Sequence, residues 1–223
     1  WWAFAAPIGG GQDKPGNQVM KFDGVNDHIT FPAMNINYSQ GFSLEVWVRY
    51  NSLKNWSRIF DFGIGAGAEN IILANKGTTN TLGFHVYRGT ASLSVEVANF
   101  LELQKWMHIS VTVEPSGSCK VYKNGQLIQS GTSQLPNSVN RTLNYIGRSN
   151  WAADTYFDGQ MAEFRLWNRV RTEAEIKADL NQRLTGKEPG LAIYLPLDEI
   201  KFEGSTKKVF DLVGTNHGTA IEV

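Results

Sequence analysis

The sequence predicts an all-β protein: a two-sheet antiparallel jelly-roll sandwich with one short amphipathic helix towards its C-terminal end. Three observations carry that prediction. Charged residues make up 19% of the chain, below the usual quarter, while glycine counts 22 and tryptophan 7 among 223 residues; few charges, many turn formers and many aromatics suit strands joined by turns. About a dozen short strand-like runs recur between turn signals. One segment after Thr172 stands out as a helix.

The length fits one large domain or two small ones, and buries enough surface to fold without staples. Lys plus Arg and Asp plus Glu both count 21, so the formal net charge is zero. That speaks against a general nucleic-acid binder and against purely electrostatic docking on anionic lipid. A single cysteine, Cys119, rules out an intrachain disulfide framework and a cysteine-based zinc site. No stretch approaches 18 apolar residues, so no membrane span is expected. Residues 1–17 read as an N-terminal edge or linker segment: apolar Trp1-Trp2-Ala3-Phe4-Ala5-Ala6, either a leader remnant or a short edge strand or scar, then a Gly- and Pro-containing linker.

From Gln18 the elements follow in order. Gln18–Phe22 precedes the turn signal Asp23-Gly24, and His28–Phe31 stops at Pro32. Phe42–Tyr50 alternates, with Phe42, Leu44, Val46, Val48 and Tyr50 on a core face and Ser43, Glu45, Trp47 and Arg49 on the other. Arg58–Phe62, Glu69–Ala74, Leu82–Tyr87 and Ser92–Val97 are further strands, and Trp106–Glu114 alternates again. Lys120–Lys123, Asn124-Gly125 and Gln126–Gln129 spell a hairpin, because Asn-Gly tolerates the positive φ of a type I′ turn. Leu143–Gly147 and Gln160–Asn168 complete the run. Thr172-Glu173-Ala174-Glu175 has capping-box spacing, Ile176, Leu180 and Leu184 share one face, and Gly186 and Pro189 mark the stop. The predicted helix therefore covers 172–184. Leu191–Leu197 is one more strand.

Several of these segments, taken in order, resemble the laminin-G-like jelly rolls of the concanavalin A-like lectin superfamily, especially its bacterial members. They are Phe22-Asp23-Gly24-Val25-Asn26-Asp27-His28-Ile29, Phe42–Val48, Trp106–Thr112, Val121-Tyr122-Lys123-Asn124-Gly125, Ile146-Gly147-Arg148-Ser149-Asn150-Trp151 and Tyr156–Asn168. The series covers about residues 18–185. The more distant pentraxins share the closing strand-then-helix pattern. Where the family's last strand has Ile-Asp-Glu, this chain has Met161-Ala162-Glu163, so a role for that Asp does not carry over. Segment 191–223 looks like the piece that normally opens such a domain. It either folds back to complete the same sandwich, the favoured reading, or begins a truncated second repeat.

Glucanases of the same superfamily are expected to set paired carboxylates on one strand, at the spacing glycoside hydrolysis needs. Here Glu45 and Glu163 each stand alone on their strands, and Asp198-Glu199 point to opposite faces if extended. No Gly-x-Ser-x-Gly or His-Glu-x-x-His pattern occurs. His85 and His108 read as hydrogen-bonded structural histidines, and Cys119 as a buried inert thiol. The expectation is a non-catalytic module.

The resemblance implies calcium, which takes six to eight oxygen ligands from loops at strand ends. Two clusters are candidates: Asp23 and Asp27 around Gly24, joined by Glu163 from the last strand; and the loop Asn150 to Asp154, near Asp158. A turn cap is the competing reading for Asp23 and Asp158. Glu69 and Asn70 fall near another pentraxin metal segment. For carbohydrate, rings beside planar polar groups point to Trp56, Tyr87, Arg88, Trp151 and Tyr156; loop anchoring is the other reading of Trp56 and Trp151. Trp47 and Trp167 either line a concave face or lie under the helix and tail. The expected function is a secreted or cell-surface module for calcium-dependent carbohydrate recognition or adhesion, with a glycan or cell-surface receptor as partner, in a larger multidomain or tandem-repeat protein. The alternative is a structural or receptor-binding domain of a surface protein or toxin without a sugar site.

Overall fold

Alternation of apolar and polar residues resolves into strands close to those predicted. The computed structural model describes residues 18–221; the N-terminal segment 1–17 lies outside them. In chain order the elements are β1 (Met20–Asp23), β2 (His28–Phe31), β3 (Phe42–Tyr50), β4 (Arg58–Gly63), β5 (Ile71–Asn75), β6 (Leu82–Arg88), β7 (Ala91–Val97), β8 (Met107–Val113), β9 (Ser118–Lys123), β10 (Gln126–Thr132), β11 (Leu143–Ile146), β12 (Asp158–Trp167), α1 (Glu173–Asp179), β13 (Leu191–Leu195), β14 (Lys201–Glu203), β15 (Thr206–Val209) and β16 (Gly218–Ile221). They form two antiparallel sheets. One runs β1-β12-β3-β8-β9-β10, with β13 also on β12; the other runs β14-β15-β16-β2-β11-β4-β5-β6-β7. The architecture is the predicted all-β jelly-roll sandwich with one short helix.

The two inner faces meet in one core. Phe164 of β12 packs edge-on against Phe60 and Phe62 of β4, with ring centres 5.6 and 5.9 Å away. Side chains of this size contribute roughly 1.5–3 kcal/mol each on burial. In the β9–β10 hairpin Asn124 and Gly125 both take positive φ, 51° and 76°, as a type I′ turn demands.

Residues 191–221 enter both sheets. β13 pairs with β12, and β16 pairs with β2. The β14–β15 hairpin was not predicted, because all its residues but Val209 are polar or exposed and carry no alternation.

The outer face of the seven-stranded sheet corrects the prediction of one buried face for β3. Ser43, Glu45 and Trp47 are as buried as the core residues between them, because α1 and the loop after it lie on that face. Trp47 and Trp167 are therefore covered: Trp47 donates its indole N–H to the Leu180 carbonyl at 3.0 Å, and the Arg171 guanidinium stacks on Trp167 at 4.0 Å. Glu45 sits at the centre, with Arg171 Nε at 3.2 Å and Arg165 Nη1 and His108 Nε2 at 3.6 Å. The capping box of α1 forms as predicted, but the helix stops at Asp179 rather than 184. The carbonyls of Asp179, Leu180 and Gln182 accept from the buried side chains of Arg165 and Trp47, which takes over the role of a further helical turn. Over β3 and β12 this face is closed, and the cleft described below lies on the outer face of the nine-stranded sheet.

Candidate functional site

Period two sorts the nine-stranded sheet. Phe60, Phe62, Phe84 and Val86 point into the core, so their neighbours point outward. One cross-strand row, Thr30, Tyr145, Asp61, Ile72, His85 and Ser94, runs over six strands as directly opposed residues. Over β4, β5 and β6 this face opens into a cleft of about 220 Å³ lined by Trp56, Arg58, Ile72, His85, Tyr87, Trp151 and Asp154.

Two loops build its walls. The first precedes β4 and carries Trp56 at φ 48°. A left-handed backbone costs an aromatic residue on the order of 1–2 kcal/mol. It is held there by a bond from the Trp56 N–H to the Gly77 carbonyl (2.8 Å) and by Arg58 donating to the Trp56 carbonyl (2.8 Å). The second loop follows β11. Ser149 Oγ accepts from the Trp151 N–H at 3.0 Å and donates to Asp154 at 2.8 Å, which sets the Trp151 backbone. Thr155 joins the loops through two bonds to the Asn55 carbonyl.

Arg58 organises the site. Its guanidinium lies 5.5 Å from the Trp56 ring centre and 5.3 Å from that of Trp151. It pairs with Asp154 at 2.7 Å and with Asp61 at 3.5 Å. Asp61 is fixed from its other side by the Asn70 amide and by the Asn150 backbone and side chain. Tyr87 lies 5.9 Å from Trp151, and His85 lies 5.7 Å from Trp56. Burial, with Arg58 beside it, pushes His85 down to about 4, so its ring is neutral in ordinary buffers.

Of the residues expected for carbohydrate, Trp56, Tyr87 and Trp151 meet in this cleft. Arg88 lies beyond it, donating to the Asn137 side chain, and Tyr156 packs on His28 outside it. Arg58, Ile72 and His85, which also line the cleft, were not among the residues expected for carbohydrate. His85 was expected to be a hydrogen-bonded structural histidine, yet its Nε2 has no hydrogen-bond partner. The signal was present in Leu82–Tyr87, where alternation puts His85 and Tyr87 on the non-core face. Cys119 is buried and its thiol is pushed up to about 12 by burial, which leaves it protonated. A second hollow, about 370 Å³ beside Leu197 and Phe202, contains none of the predicted residues.

The expected metal ligands do not converge. Asp23 Oδ1 accepts the N–H groups of Val25, Asn26 and Asp27, and Asp27 accepts that of Asp23. Glu163 pairs with Arg165 and the Tyr194 hydroxyl, five residues along β12 from Asp158, the partner of Asp23; that is about 16 Å of strand. Asp154 belongs to Arg58 and Ser149, and Asn150 to Asp61. Glu69 binds Asn137 and the Gly89 N–H. Among the described residues no three of His, Cys, Asp and Glu group as metal ligands. Also among the described residues, no helix is long and apolar enough to cross a membrane.

Residues 23–177 match a laminin-G-type family model described as concanavalin A-like lectin/glucanases superfamily. No curated protein matches the chain significantly. Among solved structures, the chain is similar to a candidate carbohydrate-binding protein of Bacteroides ovatus, at 21% identity and TM-score 0.64, over 89% of this chain and 58% of that one. It thus spans a little over half of that protein. Domain 4 of an extracellular GH43 arabinanase of Geobacillus stearothermophilus, solved with arabinotriose, matches at 22% identity and TM-score 0.57, over 78% and 82% of the two chains. The CBM40 of a Ruminococcus gnavus sialidase, bound to α2,3-sialyllactose, matches at 9% identity and TM-score 0.55, over 72% and 95%. These likenesses are ones of fold.

Proposed function

The chain belongs to the laminin-G-type branch of the concanavalin A-like lectin/glucanases superfamily, and from that membership we propose that it is a non-catalytic carbohydrate-binding module whose ligand enters the Trp56–Trp151 cleft. The observation that carries this reading is the Arg58 guanidinium set between two part-exposed indoles on the outer face of the nine-stranded sheet. An indole offers a flat apolar surface to the C–H face of a sugar ring, while tyrosine, imidazole and carboxylate groups beside it read hydroxyls. A cleft of about 220 Å³ falls below the ~300–1,000 Å³ of drug-sized sites, which suits one or two sugar rings. Two of the fold neighbours were solved with glycans, which supports the same reading.

The non-catalytic part rests on the carboxylates of the cleft. Asp154 is committed to Arg58 and Ser149, and Asp61 accepts from Asn70 and Asn150 on both oxygens. Neither is free to deliver or take the proton that glycoside cleavage requires. A secreted or cell-surface location belongs to the same proposal. Calorimetric titration of the intact chain with a panel of oligosaccharides, with tryptophan fluorescence as second readout, tests it. Binding that disappears in Trp151→Ala is expected. A chain that binds no saccharide overturns the reading, and a protein partner found alongside that result favours the receptor-binding alternative.

A further inference from the structure

Resting on that reading, we infer that the cleft selects neutral sugars and turns away glycans carrying a carboxylate, although an arginine lies at its centre. An arginine in a sugar site ordinarily suggests an acidic ligand, because its fork matches a carboxylate. Here the two terminal nitrogens of the fork are already taken by Asp154 and the Trp56 carbonyl, the Nε faces Asp61 at 3.5 Å behind the cleft without a hydrogen bond, and the side chain is only 5% exposed. Beside His85 the charges are Glu96 of β7 and Lys76, paired with each other at 2.6 Å. His85 is neutral. The cleft lining itself carries one cation, Arg58, already joined to the one carboxylate of the lining, Asp154, so no cation is left there to receive a carboxylate. An acidic sugar would enter a partly desolvated site without a counter-charge and beside Asp154, where like charges repel strongly.

Matched pairs test this: lactose against 3′-sialyllactose, and methyl-esterified against free oligogalacturonate, alongside neutral arabino-, xylo- and cello-oligosaccharides. The expected result is that the tightest ligand is neutral and each acidic partner binds at least about ten-fold more weakly than its neutral form. An acidic glycan as the tightest ligand overturns the inference and leaves the binding function standing. Failure of every sugar overturns the binding function itself, and the inference with it.

A separate observation concerns the turn Asp23–Asp27. Lys54, from the loop before β4, donates its ammonium to the Gly24 carbonyl at 2.6 Å. Gly24 has φ +71°, and a Cβ there would stand 2.6 Å from Lys54 Nζ and 2.6 Å from the Asp158 Cβ. The ammonium thus caps a backbone carbonyl inside a turn flanked by Asp23, Asp27 and Asp158. Asp158 is meanwhile held by Asn51 and Ser52. We propose that Lys54, with Lys207 acting on Asp27 beside it, is a built-in cation of this turn, doing the charge neutralisation that a calcium ion would otherwise do, so that folding needs no divalent ion.

Thermal unfolding of the full chain in millimolar calcium and in EDTA, with wild type and Lys54→Gln, tests it. The expected midpoints of wild type agree within about 1 °C, while Lys54→Gln unfolds about 2–4 °C lower in both. A calcium-induced rise of several degrees in wild type overturns the proposal. So does a Lys54→Gln midpoint equal to that of wild type.

Discussion

Asp154 and Arg58 meet at 2.7 Å beneath two indole rings, and through that pair a loop that leaves β11 is fastened to the first residue of β4. The pair is almost fully buried, with side chains 11% and 5% exposed, so removing either member leaves the other uncompensated. Arg58→Ala strands both Asp61 and Asp154 and is expected to cost roughly 3–5 kcal/mol in denaturant titration. Asp154→Ala leaves Arg58 its contact with Asp61 and is expected to cost less, while releasing Trp151 from its place. Equal losses in the two variants would contradict this account.

Trp56 separates binding from stability. Its left-handed backbone is a cost that a glycine would not carry. Trp56→Gly is expected to weaken oligosaccharide binding about ten-fold or more, yet to keep the thermal midpoint within about 2 °C. A midpoint that collapses would mean that Trp56 is a loop anchor and that the strain serves the fold.

Much of the sandwich was legible because long alternating runs fix a strand and its faces. Phe42–Tyr50 and His28–Phe31 lie where the pattern puts them. The pattern could not show that α1 and the loop after it, where Leu180 stands 133 residues beyond Trp47, would close the outer face of β3 over Glu45 and Trp47. The cleft was half legible. Trp56, Tyr87 and Trp151 stood out as rings near polar groups, but their meeting depends on the pairing of β4, β5 and β6 and on a loop from β11. Arg58 went unnoticed because a strand-initial arginine looks like any solvated one. Lys54 was invisible for the same reason: its partner carbonyl is thirty residues away, and nothing local marks it.

Glu45 has a different use on the closed face. It is the anion between Arg165 and Arg171, and burial pushes its carboxyl up against the pull of both. Glu45→Ala leaves two guanidiniums buried without it and is expected to destabilise by roughly 3–5 kcal/mol. Because the cleft is on the other sheet, the oligosaccharide affinity of the folded fraction should not change. A loss of affinity in protein that remains folded would show coupling between the sheets.

The histidine of the cleft gives the chain a definite acid response. His85 is held down to about 4, chiefly by burial, and so stays neutral in the folded chain when the unfolded chain begins to take up its proton near pH 6.5. Its contribution is therefore complete above about pH 6.5 and is lost as pH falls towards 4. At pH 5 the loss amounts to about 2 kcal/mol. His108, held down to about 3 by burial and the nearby Arg165 and Arg171, acts in the same direction. Glu45 and Asp61 act oppositely, because burial holds their carboxyls above the ordinary range, so the pH profile of the wild type alone does not isolate the ring. The difference between wild type and His85→Gln does. Urea unfolding at pH 7.5 and pH 5 should show wild type losing about 2 kcal/mol more than the variant over that interval. Parallel profiles would place the His85 proton in solvent and contradict its position under Trp56.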